Sequence, residues 1–182
     1  VFDEAHHFSR KALSHFSINA STEFMKTSIR QSQGAIDQIL IITNQKTSES
    51  HIKKADEAIG ELIEVITNFE YLDDVYLFDM SGISSDVANL GQNLLSIFNT
   101  AFGNFLDQKD KWQDYCKRNT VKQTTMDNLN NIIGQNDQNL SSIVSLLNAF
   151  TQNTNSGSPP TSNWIVKSKL SNKKTNYHLN TA

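Results

Sequence analysis

The stretch IKKADEAIGELIEVITNF, residues 52–69, decides the fold class. Ile52, Ala55, Ile59, Leu62, Ile63, Ile66 and Phe69 recur at steps of three and four, which places them on one face of an α-helix. Charged side chains fill the other face, and Ser48 and Ser50 stand upstream as possible caps. A single amphipathic helix is marginal in water, so this one needs apolar partners of the same kind.

The chain supplies them on both sides. Upstream, residues 4–44 read as helical, with a break at 18–22. Ser21 or Thr22 can act as a simple N-cap there, while Phe24 three residues after Ser21 rules out a capping box. Downstream, residues 71–80 mix apolar and acidic side chains without a period, and Ser81-Gly82 reads as a break. A wide apolar stripe follows: Ile83, Val87, Leu90, Leu94, Ile97, Phe98, Ala101, Phe102 and Phe105, continuing toward Trp112 and Tyr115. A fourth stretch, 120–150, carries Met126, Leu129, Ile132, Ile133, Leu140, Ile143, Leu147 and Phe150, with a possible kink at 134–139. Ile59, Leu62, Ile66, Leu90, Leu94, Ile97, Ile143 and Leu147 are the expected core.

The pattern changes after residue 152. Gly157, Pro159 and Pro160 mark 153–162 as a linker, and Trp164, Ile165 and Val166 are strong strand formers. With a turn at Ser171-Asn172-Lys173, residues 163–182 read as a β-hairpin returning toward another domain. The expected architecture is mainly α: an elongated helical bundle at 17–152 with a small C-terminal β-hairpin, preceded by a separate motif at 1–16.

Composition bounds the function. Sixteen basic residues against 19 acidic give a net charge of −3, unlike a histone-type nucleic-acid binder. The single cysteine, Cys116, excludes an internal disulfide and reads as a packing residue. No apolar run reaches a membrane span of about 20 residues, so no membrane partner is expected and the expected location is cytoplasmic. The chain opens at Val1 without methionine or a basic-then-apolar leader, as a processed protein or a piece of a larger one would.

Charge is unevenly spread. Residues 55–108 hold ten acidic side chains and no lysine or arginine, whereas Lys167, Lys169, Lys173 and Lys174 make the tail basic. A nucleic-acid strand should therefore avoid the second and third helices and pass the ends of the first and fourth. Phe98, Phe102, Phe105 and Trp112 can form a stacking platform, but a buried stripe is the plainer reading. His6, His7 and His15 lack a carboxylate or cysteine partner that would complete a metal site.

The first ten residues, VFDEAHHFSR, carry the chemistry. An apolar pair, Val1 and Phe2, precedes Asp3-Glu4-Ala5-His6. A carboxylate at a strand end can hold Mg²⁺ beside nucleotide phosphates, and a neighbouring carboxylate can take a proton from the attacking water. The plainer reading is a helix start, with Asp3 and Glu4 favouring the helix dipole.

Asp3-Glu4-Ala5-His6 resembles helicase motif II, the DEAH form of the Walker B element. Together with the closing stretch NWIVKSKLSNKKTNYHLNTA, residues 163–182, it is similar to the XPD/DinG family of superfamily 2 DNA helicases. In that family motif II is followed by a long helical insertion, the Arch domain, after which the chain returns to the motor. The returning strand often reads like "LHATPLD", which Tyr177-His178-Leu179-Asn180-Thr181-Ala182 resembles up to the position of the proline. The resemblance covers the first ten and last twenty residues; the middle matches in length and helical character only.

The resemblance implies that Asp3 is the Mg²⁺-associated aspartate, Glu4 the water-activating glutamate and His6 the residue coupling nucleotide state to neighbouring motifs. It implies ATP and Mg²⁺ as cofactors of the parent protein, 5′→3′ movement on single-stranded DNA, and forked duplex DNA as a partner. An iron–sulfur cluster, where the parent has one, lies outside this chain. The fragment alone should not hydrolyse ATP, since it lacks a GxxxxGK[ST] loop. The competing expectation is a secreted or structural helical-bundle interaction protein, or a pore-forming toxin subunit, with a coincidental DEAH. The apolar helix at 83–106, rich in small residues, favours it.

Overall fold

The computed structural model describes residues 17–46, 48–78, 83–151 and 163–181. Four α-helices dominate it: α1 (Thr22–Thr43), α2 (Ile52–Thr67), α3 (Ser85–Arg118) and α4 (Gln123–Thr151). Four short strands form one antiparallel sheet: β1 (Ile18–Ser21), β2 (Val75–Leu77), β3 (Asn163–Lys169) and β4 (Thr175–Thr181), in the order β1-β4-β3-β2.

The helices form where the apolar repeats lie. In α2 the buried residues are Ala55, Ala58, Ile59, Leu62 and Ile66; in α3, Val87, Gly91, Leu94, Phe98, Ala101, Phe105, Gln108 and Trp112. Of the expected core, Ile59, Leu62, Ile66, Leu94, Ile143 and Leu147 are fully buried. Leu90 and Ile97 are half-buried against that core rather than inside it. They flank the stripe through Val87, Leu94 and Phe98, so one side of each faces the core and the other faces water.

Helix ends follow local chemistry in some places and tertiary contacts in others. Ser21 caps α1: its side chain accepts the Phe24 amide at 3.0 Å. Asn44 closes α1 in the left-handed conformation, which asparagine tolerates. The expected caps of α2 differ. His51 occupies the cap position, and Ser50 makes only a long 3.5 Å contact with the Ile52 amide. α4 runs through 134–139 without interruption. The Ser81-Gly82 break and the linker at 153–162 lie outside the described residues.

The hairpin forms as expected, with Trp164 opposite Asn180 and Ile165 opposite Leu179. It is also the centre of a larger sheet. β1 pairs with β4 through Ile18↔Thr181 and Ala20↔Leu179, and β2 pairs with β3 through Val75↔Val166 and Leu77↔Trp164. Ala20, Ile165, Tyr177 and Leu179 belong to the same hydrophobic core as the helices. The sheet therefore docks on the bundle by one face. No helix among the described residues is long and apolar enough to cross a membrane.

Candidate functional site

The catalytic residues expected from the motif, Asp3, Glu4 and His6, lie outside the described residues, as do His7 and His15. What the structure defines is how the body that follows them is arranged. β1 brings the chain in and β4 takes it out, antiparallel and hydrogen-bonded side by side. Facing residues in such a pair have Cα atoms about 4.5–5.5 Å apart. The two ends of a body built largely from long helices thus meet in one strand pair.

Side-chain hydrogen bonds fasten the same place. The Asn176 side-chain oxygen accepts from the Thr22 hydroxyl at 3.1 Å and from the Glu23 amide at 3.2 Å. Thr22 and Asn176 are both buried, so these bonds satisfy polar groups that water cannot reach. On α2, the Thr67 and Tyr177 hydroxyls meet at 2.9 Å. The starts of α1 and β4 and the end of α2 are locked together at the sheet.

An aromatic cluster fills the neighbouring corner. Tyr76 lies 4.3 Å from Phe69 and 5.1 Å from Phe78 between ring centroids, and Phe78 meets Phe150 of α4 edge-on at 5.8 Å. Tyr71 donates to the Ile66 carbonyl at 2.9 Å, and the Lys167 ammonium sits 4.6 Å over its ring. Burial, and then the nearby Tyr177 and Tyr76 hydroxyls, push the Tyr71 phenol well above its ordinary range. It stays protonated at neutral pH, its hydroxyl committed to the Ile66 carbonyl.

Two other groups have the look of chemistry. Ser168 and His178 approach to 2.9 Å across the hairpin. Burial lowers the His178 pKa, favouring the neutral imidazole. No carboxylate orients the ring among the described contacts, so a nucleophile–base–orienter triad is not assembled. Cys116 is half-buried against the core, and burial raises its thiol pKa, which disfavours the reactive thiolate. Among the described residues no three His, Cys, Asp or Glu side chains group to hold a metal ion.

The aromatic stripe is core, in line with its plainer reading: Phe98, Phe105 and Trp112 are fully buried, and Phe102 is half-buried beside them. Trp112 donates its indole N–H to Asn130 at 2.9 Å, and Lys109 pairs with Asp137, joining α3 to α4 toward the bundle's far end. Sequence reasoning did not find the β1–β4 pairing. Its only signal was the break at 18–22, of which residues 18–21 pair with a strand some 160 positions later. No protein-family model matches this chain, and no curated protein matches it.

Proposed function

We propose that the chain is motif II followed by the Arch-type helical insertion of an ATP-dependent 5′→3′ DNA helicase of the XPD/DinG kind. One structural observation supports the insertion reading. The helical body receives and releases its chain through paired neighbouring strands, Ile18 opposite Thr181, so it can be inserted into a motor domain without spreading the motor's strands. The motif supplies the rest. Asp3 and Glu4 offer hard carboxylate oxygens, the donor type that Mg²⁺ takes.

In this reading Asp3 holds Mg²⁺ through water, Glu4 accepts a proton from the attacking water, and His6 couples nucleotide state to the rest of the motor. Bound Mg²⁺ neutralises charge on the ATP phosphates. Any iron–sulfur cluster belongs to a part of the parent outside this chain. The helical body helps to thread single-stranded DNA and split forked duplex, in the cytoplasm.

The test is DNA-stimulated ATP hydrolysis by the full-length parent with Glu4→Gln, which keeps the shape and removes the base. Hydrolysis should fall by about 10²–10⁴-fold, the usual contribution of a general base. ATP and single-stranded DNA binding should survive. Unchanged hydrolysis would leave the DEAH coincidental and favour a helical interaction module.

A further inference from the structure

The tail's basic charge is gathered by the fold. β1 covers β4 only from His178 to Thr181, and β2 covers β3 only from Trp164 to Val166. The hairpin continues past both as a two-stranded ribbon, with Ser168 opposite Asn176 and Lys169 opposite Thr175. Its turn is tight: the Leu170 amide donates to the Lys174 carbonyl at 2.9 Å, and Lys173 adopts a left-handed φ of 65°. Lys169, Lys173 and Lys174 are all exposed there.

These three lysines have no ion-pair partner among the described residues, whereas Lys53, Lys54, Lys109, Lys117 and Lys167 each have one. Residues 163–182 contain no Asp or Glu at all. Desolvating these ammonium groups against phosphate therefore breaks no existing pair. Ser171, Asn172 and Thr175 are exposed between them and can donate to phosphate or sugar oxygens, the contacts that position a strand without reading its sequence.

We infer that the tip of the β3–β4 ribbon is a binding surface for the phosphate backbone of single-stranded DNA, made by Lys169, Lys173 and Lys174. The choice of DNA rests on the helicase reading; the cation cluster itself specifies a polyanion. The ribbon stands beside the start of α1, where Asn176 meets Thr22, at the end of the body where the chain enters and leaves. A strand bound there lies close to the proposed motor; the carboxylates it must skirt are Glu23, whose amide meets Asn176, and Asp73 and Asp74 before β2, of which Asp74 pairs with Lys167.

The test uses the 182-residue chain and fluorescently labelled oligothymidine, read by anisotropy at several salt concentrations. The variant is Lys169→Gln, Lys173→Asn and Lys174→Gln, asparagine being chosen because it tolerates the left-handed position. A matched variant, Lys111→Gln, Arg118→Gln and Lys122→Gln, removes the same charge elsewhere. Circular dichroism verifies that both remain folded. The ribbon variant should weaken binding at least tenfold and make the log-affinity against log-salt slope shallower by about 2, three lysines at roughly 0.7 each. The matched variant should do neither.

Absence of binding by the unaltered chain overturns the inference. Equal losses in both variants overturn it too, since net charge alone then acts. Lysine-dependent capture on phosphatidylcholine–phosphatidylserine vesicles without oligothymidine binding assigns the ribbon to a membrane instead and also overturns it. The Glu4→Gln assay separates this outcome from the parent reading: its loss of hydrolysis preserves the helicase even where the ribbon fails. Ribbon binding with unchanged hydrolysis preserves the ribbon and removes the helicase.

Discussion

The Ser21 hydroxyl stands where β1 becomes α1, and its 3.0 Å bond to the Phe24 amide satisfies a helix donor that otherwise lacks a partner. Ser21→Ala should cost about 1 kcal/mol by urea denaturation, whereas Ser21→Asp, which can still accept, should cost much less. Burial separates the core positions in the same assay. Leu62→Ala and Leu94→Ala, at sites almost closed to water, should each cost about 2–5 kcal/mol. Leu90→Ala, at a half-buried site, should cost less than either. His178 gives a pH signature. Burial holds its pKa below the ordinary 6.5, so the unfolded chain takes up a proton first as pH falls. Its contribution is complete above 6.5 and is lost as pH drops toward the lowered native value. His178→Gln should therefore flatten the decline in Tm between pH 7.5 and 5.5; an unchanged decline would assign it to other groups.

At the scale of elements, α3 and α4 cross closely at Gly91. A Cβ placed there would lie 2.5 Å from the Thr151 methyl carbon, and the Thr151 hydroxyl is already committed to the Leu147 carbonyl at 2.7 Å. Gly91→Ala should gain helix propensity yet lose about 1–3 kcal/mol overall from overpacking. Thr151→Ser, which removes the methyl and keeps the hydroxyl, should recover part of that loss in a double-mutant cycle. The helices were legible because each carries its own repeat: Ile59, Leu62 and Ile66 name a face without knowledge of its partner. The β3–β4 hairpin was legible for the same reason, its turn being local. β1 and β2 were not. Ile18-Asn19-Ala20-Ser21 and Val75-Tyr76-Leu77 are too short to show alternation, and both become strands by pairing with β4 and β3 far along the chain. The motif Asp3-Glu4-Ala5-His6 was legible as a motif alone: it lies outside the described residues, and the role proposed for it needs a phosphate loop that the chain does not supply.

At the scale of the whole molecule, the sheet gathers the incoming chain, the outgoing chain and the lysine ribbon at one end of the body. From Gly91, which meets Thr151, to Arg118, α3 advances 27 residues, or about 40 Å. In the proposed reading the body is a long arm attached to the motor through one strand pair. Its attachment is tested by cutting it out: in the full-length parent, residues 22–177 are replaced by Gly-Ser, a two-residue loop that joins Ser21 to His178, its partner across the strand pair, and keeps the returning strand. Single-strand-stimulated ATP hydrolysis and forked-duplex unwinding are then measured together. The account predicts that stimulated hydrolysis persists, because the motor's strands are undisturbed, while unwinding is lost with the body that helps to split the duplex. Loss of hydrolysis, or unwinding at the unaltered rate, would contradict it.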